Sequence, residues 1–116
     1  MHFEARELKP YAEAVTAEEL KEGAAYFSVT FYDDDMLIPD MKTMIFIGNN
    51  LEKEDTNSLY FQDVDSYKRG ARYGSAKDGD ATFYKCSSDQ LSAIFDFEHA
   101  LEELMRCALA RKKSSL

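Results

Sequence analysis

The sequence predicts an α+β fold: a small antiparallel β-sheet curled as an SH3-like partial barrel, with a short N-terminal helical turn and one C-terminal amphipathic helix packed on it. Three observations support this prediction. Short β-branched and aromatic segments recur along most of the chain, turn residues separate them, and apolar residues at helical spacing occupy the C-terminal end. An open sheet of four or five strands is the alternative arrangement.

Length and composition fit one domain that spans residues 1–116. Hydrophobic residues make up 45% and charged residues 31% of the chain, which is ordinary globular usage and argues against a disordered or low-complexity protein. A chain of this length can bury a single core without a metal or a disulfide to hold it together.

The N-terminal region is predicted to begin without a long helix. Residues 1–15 are expected to form an irregular or edge-strand start, because Pro10 interrupts any helix. One or two helical turns are expected at residues 17–22, because Thr16 and Glu19 have the spacing of a capping box.

The clearest strand is predicted at residues 24–32, where β-branched and aromatic residues alternate. Its tyrosines are expected on the wetter face. The side chains expected to face the core are Phe27, Val29 and Phe31. Residues 36–40 are expected to form a short connection, and further strands are predicted at residues 42–47, 59–62 and 81–86.

A turn of helix and a basic loop are predicted between the third and fourth strands. Asp63 is placed to cap a helical turn that runs through Tyr67 and stops near Gly70. The loop at residues 68–80 contains several glycines and basic residues, so it is expected to be the most flexible part of the chain.

The C-terminal region is predicted to end in a helix at residues 97–112, with Asp96 as its N-cap. Residues 87–95 fit either the start of a long helix, because Ser87 and Gln90 have the spacing of a capping box, or a returning hairpin strand. The alternation of apolar residues favours the hairpin. The apolar stripe of the helix must pack on the sheet or on a partner. It consists of Phe97, Ala100, Leu101, Leu104, Met105 and Ala108.

Charge argues against nucleic acid as a partner. The formal net charge is -8, the wrong sign for binding a phosphate backbone. Residues 1–65 hold 15 acidic and 5 basic side chains, for a net -10, whereas residues 66–116 hold 7 acidic and 9 basic, for a net +2. The longest apolar runs are far too short to span a membrane, so we expect a cytoplasmic protein without a membrane partner.

No residue pattern indicates catalysis, a metal or a cofactor. Cys86 and Cys107 form no CxxC pair, and the chain has only two histidines, so ordinary zinc-ligand spacing is absent. The acidic turn at residues 33–35 lacks the spacing of a calcium loop and is expected to be solvated. His99 has carboxylates three and four residues later, an arrangement expected of an ordinary solvated helix face.

Two sets of residues are candidate binding residues. The basic, glycine-containing loop could hold an anion through backbone amides and arginines; its candidates are Lys68, Arg69, Arg72 and Lys77, with Tyr67 and Tyr73. Tyrosines on a sheet face are typical interface residues, because they bury large area at low entropic cost. The tyrosines predicted to form such an interface are Tyr26, Tyr32, Tyr60 and Tyr84.

These features favour a non-enzymatic protein-interaction module that binds another protein or a second copy of itself through an acidic, tyrosine-bearing surface. One alternative is an inhibitor, similar in action to an antitoxin, that masks a basic protein through the acidic half of the chain. The other alternative is a small-molecule or anion-binding domain that uses residues 68–77.

Overall fold

The structure, a computed structural model, describes residues 12–74 and 81–114. The described elements form one antiparallel sheet with strand order β4-β3-β2-β1-β5, two α-helices and two short 3₁₀ turns. The strands are β1 (Ala25–Phe31), β2 (Pro39–Asn49), β3 (Ser58–Asp63), β4 (Phe83–Ser87) and β5 (Ile94–Phe95). The helices are α1 (Val64–Lys68) and α2 (Phe97–Ser114), and the 3₁₀ turns are Ala17–Glu19 and Ser88–Gln90.

The predicted α+β class is confirmed, but the prediction of a curled partial barrel is wrong. The sheet is open, with β4 at one edge and β5 at the other. A closed barrel requires the two edge strands, here β4 and β5, to pair with each other. Instead β5 pairs with β1 through Phe27 and Phe95, and it lies at the edge opposite β4. The open five-stranded alternative describes the sheet correctly.

The four strands predicted along the chain are all present, with shifted ends. The largest shift is in β2, which begins at Pro39 and so includes part of the predicted connection at residues 36–40. Pro39 can occupy this position because it is the first residue of the strand, where a missing amide hydrogen costs least. Tyr32 donates its backbone N–H to the Ile38 carbonyl oxygen at 2.9 Å, and this bond holds the β1–β2 connection together.

Both predicted capping boxes form, and each one begins a 3₁₀ turn. Glu19 accepts hydrogen bonds from the Thr16 amide at 2.8 Å and from its hydroxyl at 2.9 Å. Leu20 then adopts an extended conformation, so the helical turn is shorter than the predicted residues 17–22. Ser87 donates its amide to Gln90 at 2.9 Å, which starts the second turn.

Residues 87–95 end in a short strand, β5, and do not start a long helix, but the predicted hairpin pairing is wrong. The second 3₁₀ turn takes the chain away from β4, and Ile94 and Phe95 pair with β1. Both side chains are buried, so pairing at this edge buries two large apolar groups, whereas a hairpin on β4 would extend the opposite edge of the sheet.

Both predicted helices form. Asp63 caps α1 by accepting the Ser66 amide at 3.0 Å, and Asp96 caps α2 by accepting the His99 amide at 2.8 Å. The C-terminal helix extends two residues beyond the predicted residues 97–112. Of the predicted N-terminal region and basic loop, residues 1–11 and 75–80 lie outside the described residues.

The sheet is covered on both faces. One face carries a cluster of buried side chains that the N-terminal segment and the segment before β5 cover; it contains Val15, Tyr26, Met44, Phe46, Leu59, Phe61, Leu91 and Ile94. On the other face, Val29 and Phe95 of the sheet form a second buried cluster with Ala100 of α2. The core therefore lies on both sides of the central strands.

Because both faces of the sheet are covered, the expectation that Tyr26 lies on a wetter face is wrong. Tyr26 is buried among the first cluster, while Phe27 and Phe31 are only partly buried against the second. The Tyr26 hydroxyl accepts the Lys21 amide at 2.9 Å and donates to the Glu19 carbonyl oxygen at 3.3 Å. Tyrosine satisfies its polar end in this way while its ring fills the core.

Candidate functional site

The four predicted interface tyrosines do not share one exposed face. Tyr26 and Tyr60 are buried, Tyr84 is partly buried, and Tyr32 is exposed. In the β3–β4 register Phe61 pairs with Tyr84, so Tyr60, the neighbour of Phe61, points to the opposite side of the sheet from Tyr84. An interface through these residues together is incompatible with this placement.

The predicted anion-binding residues are dispersed around α1. Lys68 and Arg69 are exposed at the end of the helix. Arg72 lies over the Tyr67 ring, 4.1 Å from its centroid, and donates from Nη1 to the Tyr67 and Ala71 carbonyl oxygens at 3.0 and 2.7 Å. The loop therefore holds one guanidinium in a defined position.

Tyr73 packs against the sheet beside that guanidinium. Its ring lies 5.1 Å from the Tyr60 ring and 5.2 Å from the Phe83 ring. Of the six predicted residues, Arg72 and Tyr73 line one cleft, with Tyr67 stacked against Arg72. Lys77 lies outside the described residues.

A polar network that the sequence did not indicate joins Asp55, Tyr60 and Lys85. The Tyr60 hydroxyl donates to Asp55, and Lys85 Nζ lies 3.0 Å from Asp55 Oδ1. Lys85 is distant in sequence from Asp55 and Tyr60, but Tyr60 and Lys85 are direct partners in the β3–β4 register. The hydrogen bond from Tyr60 is the main reason why the pKa of Asp55 falls from 3.8 to about 2.

We expect this network to make stability depend on pH in the acid range. Because the folded pKa of Asp55 lies below the unfolded value, the stabilisation is complete above pH 3.8 and is lost as pH falls toward about 2. Urea unfolding at several pH values measures this effect. Asp55→Asn should lose less stability than the native chain between pH 4 and pH 2, and equal losses in both proteins would contradict the assignment.

The remaining candidate residues have structural roles. Asp33 accepts the Leu37 and Ile38 amides at 3.0 and 2.8 Å, so the acidic turn closes the β1–β2 connection. His99 Nδ1 lies 2.8 Å from Oδ1 of Asp96, the N-cap residue of α2. Within residues 12–74 and 81–114, no three His, Cys, Asp or Glu side chains are placed to hold a metal ion.

Both cysteines are free thiols. Burial raises the pKa of Cys86, which keeps this thiol protonated and unreactive near neutral pH. Cys107 is buried between α2 and the β1–β2 connection, where its Sγ donates to the Leu37 carbonyl oxygen at 3.5 Å. These contacts are those of structural cysteines.

The largest exposed apolar side chains occur along one side of α2. Phe97, Leu101, Met105 and Leu109 are 64%, 51%, 50% and 47% exposed. They repeat every fourth residue, so they form one continuous stripe, which we call the α2 apolar face.

The predicted stripe of the helix is therefore divided between two environments. Ala100 and Leu104 pack on Val29 and Phe95 of the sheet, whereas Phe97, Leu101 and Met105 remain exposed. The sequence predicted apolar residues here but not which of them the sheet would cover.

One more exposed apolar side chain lies on the sheet face that carries α2. Met41 pairs with Val29 in the β1–β2 register, so its side chain lies on the sheet face that carries α2. Met41 is itself exposed. The α2 apolar face and Met41 thus lie on the same side of the molecule.

Charge along α2 differs from charge in the rest of the chain. The helix carries three acidic and four basic side chains, a net charge of +1, whereas the chain as a whole carries -8. The acidic residues are Glu98, Glu102 and Glu103, and the basic residues are Arg106, Arg111, Lys112 and Lys113. The helix is therefore acidic in its N-terminal half and basic in its C-terminal half.

No protein-family model matches the chain, and no curated protein or solved structure matches it significantly. In the part of the chain that the structure describes, no helix is long and apolar enough to cross a membrane.

Proposed function

We propose that this chain is a protein-interaction module that binds a second copy of itself through the α2 apolar face, with the two copies of α2 antiparallel. The observation that carries the proposal is the exposure of Phe97, Leu101, Met105 and Leu109 in one stripe. Contiguous exposed apolar side chains are unfavourable in water and mark interaction surfaces.

The available area is sufficient for a small dimer interface. Four large apolar side chains, each about half exposed, contribute roughly 400 Å² of apolar surface, within the range of functional patches. Flanking polar side chains and Met41 extend the contact toward the roughly 800 Å² per partner of an ordinary interface. An apolar centre with a charged rim is the usual arrangement.

The charge distribution favours the antiparallel orientation. Glu98 lies three residues before Leu101, and Lys112 lies three residues after Leu109, so the two charges adjoin opposite ends of the α2 apolar face. Antiparallel helices bring Glu98 of one copy close to Lys112 of the other. Parallel helices would bring like charges together at both ends and would also align the two helix dipoles unfavourably.

Charge also favours α2 over residues 1–65 as the surface at which two copies meet. Residues 1–65 carry a net -10, so two copies repel each other wherever these residues would meet. Along α2 the charges nearly balance, and each copy supplies both signs. Two copies can therefore approach along α2 with less repulsion than through residues 1–65.

The test measures molar mass by light scattering after size exclusion, at about 1 to 500 µM protein. We expect the mass to rise with concentration toward twice the 13.3 kDa of one chain. Glu98→Lys and Lys112→Glu should each raise the dissociation constant about fivefold or more, because each places like charges together.

The double variant Glu98→Lys with Lys112→Glu serves as the matched control. It exchanges the two charges and restores opposite signs at both ends, so its dissociation constant should return close to that of the native chain. A monomer at every concentration would overturn the proposal. A double variant as weak as the single variants would overturn the antiparallel orientation.

A further inference from the structure

A second cleft lies where the N-terminal 3₁₀ turn meets the end of β2 and the start of β3, on the sheet face opposite α2. Its volume is about 320 Å³, at the lower end of the range for small-molecule sites. Residues 17–22, the end of β2 and residues 56–59 contribute to its lining. The described residues that line it all lie outside α2. We call it the Glu22 cleft, after the one charged residue in that lining.

The floor of the Glu22 cleft is apolar. It is formed by Leu20, Phe46 and Leu59. Phe46 and Leu59 belong to the first buried cluster of the sheet, and Leu20 packs against that cluster. An aliphatic group that lies on these side chains would lose contact with water, which is favourable.

The rim of the cleft is polar and carries one charge. Glu22, Asn49, Thr56 and Asn57 line the cleft and are exposed to solvent, so a ligand can reach them without displacing the core. Among the described lining residues there is no Lys, Arg or His. The rim therefore consists of amide and hydroxyl groups around a single carboxylate.

Gly48 leaves room for that carboxylate. The β2–β3 register shifts between Phe46 and Gly48, and Gly48 has φ +142, a conformation that favours glycine. A Cβ built at this position would lie 3.3 Å from Glu22 Oε1, so the carboxylate lies against the backbone of β2. Within residues 12–74 and 81–114, no basic side chain forms an ion pair with Glu22.

The charges favour a cation over an acid in the cleft. An acidic ligand would meet the Glu22 carboxylate, and the described lining offers no basic side chain to offset the repulsion. Residues 1–65 also carry a net -10, and a surface of one sign raises the local concentration of ions of the opposite sign.

The floor favours an aliphatic ligand over a ring that stacks. Stacking requires the exposed face of an aromatic side chain. The aromatic ring in the described lining belongs to Phe46, which is only 6% exposed. A flexible methylene chain requires only apolar contact, which Leu20 and Leu59 also provide.

We propose that the Glu22 cleft binds an aliphatic primary amine, a short methylene chain that ends in an ammonium group. The ammonium donates to the Glu22 carboxylate and to amide or hydroxyl oxygens of the rim, and the chain lies on the apolar floor. An ammonium has three donors and no acceptor, which matches one carboxylate among neutral oxygens. The same group occurs in free amines and at the end of a lysine side chain of another protein.

The experiment records amide chemical-shift changes of the full ¹⁵N-labelled chain at constant ionic strength with four probes. Pentylamine has the chain and the charge, ethylamine shortens the chain, and pentanol keeps the chain but lacks the charge. The fourth probe, Nα-acetyl-lysine methylamide, presents the amine as a lysine residue does. We expect pentylamine to cause saturable shifts of the Asn49 and Asn57 side-chain amides, with a dissociation constant below about 5 mM.

The lysine derivative distinguishes the two sources of the amine. If it binds as tightly as pentylamine or more tightly, the ligand is a lysine side chain. If it binds more weakly than pentylamine, the ligand is a free amine.

Ethylamine and pentanol should each bind at least about fivefold more weakly than pentylamine, because ethylamine covers less apolar surface and pentanol has no charge to pair with Glu22. Glu22→Gln should weaken the binding of pentylamine about fivefold. The matched control is Glu18→Gln, which removes the same charge from an exposed position outside the described lining and should change binding less than about twofold.

Three results would each overturn the proposal. The first is no saturable shift with pentylamine at about 50 mM. The second is ethylamine or pentanol binding as tightly as pentylamine, and the third is an equal loss from Glu18→Gln and Glu22→Gln. Because the described lining contains no residue of α2, these outcomes are independent of the proposed dimer.

Discussion

Replacing Phe61 by alanine is expected to lower the free energy of unfolding by about 3 to 5 kcal/mol. Phe61 lies on the interior strand β3 and is almost completely buried. Its ring contacts the Phe46 ring at 5.4 Å and the Tyr26 ring at 6.4 Å between centroids. Removing the ring leaves a cavity, which closes only if side chains on three neighbouring strands move into it. Close-packed interiors relax only partly, so part of the cavity remains.

Urea unfolding followed by circular dichroism measures this loss. Because domains of this size are stable by only about 5 to 15 kcal/mol, Phe61→Ala should shift the midpoint strongly or leave the chain unfolded. The control is Tyr32→Ala, which removes an aromatic ring that is 74% exposed and should cost about 0.5 kcal/mol or less. Equal losses in the two variants would contradict the described core.

Local features of the fold could be predicted because they depend on nearby residues. The Thr16 and Glu19 capping pair, the Asp63 cap and the Asp96 cap all form, since each requires only residues three positions apart. The alternation around Val29 likewise identified a strand.

Features that depend on distant pairing could not be predicted. The choice between a barrel and an open sheet depended on where Ile94 and Phe95 would pair, and they pair with β1, more than sixty residues earlier in the sequence. A two-residue strand has too few side chains to signal its partner. The sequence showed the capping box at Ser87, but it did not show that the turn begun there would take the chain away from β4.

The burial of Tyr26 and Tyr60 has a related explanation. A sheet with one solvated face would place polar ends of tyrosines outward, and that expectation set the predicted interface. Here both faces of the central strands are covered. The Tyr26 hydroxyl forms hydrogen bonds with the backbone of residues 19–21, and the Tyr60 hydroxyl donates to Asp55. No pattern in the sequence indicates either of these hydrogen bonds.

The candidate sites were predicted to different extents. Arg72 and Tyr73 were identified from the composition of their loop, and the apolar residues of α2 were identified from their spacing. By contrast, nothing in the sequence indicated that Gln62 would be buried with its Oε1 unpartnered among the described residues, because that depends on three-dimensional packing. The sequence also could not show that α2 would leave part of its stripe exposed, since that depends on how the helix sits on β1.

Replacing Leu101 by glutamate is expected to raise the dissociation constant of the proposed dimer at least about 100-fold. Leu101 lies near the middle of the α2 apolar face, where both helices exclude water. A two-fold interface contains every residue twice, so one substitution places two carboxylates at its centre. Each carboxylate loses hydration on association, and the chain supplies no basic side chain directly opposite in the antiparallel arrangement, where Leu101 faces Met105.

The folded monomer should tolerate this change, because Leu101 is half exposed and glutamate is a good helix former. Circular dichroism and the urea midpoint at low protein concentration check that expectation, and light scattering measures the association. Tyr32→Glu is the matched control, since it adds the same charge at an exposed aromatic residue outside α2 and should leave the association nearly unchanged. If Leu101→Glu dimerises as the native chain does while Tyr32→Glu does not, the interface lies at the β1–β2 connection and not on α2.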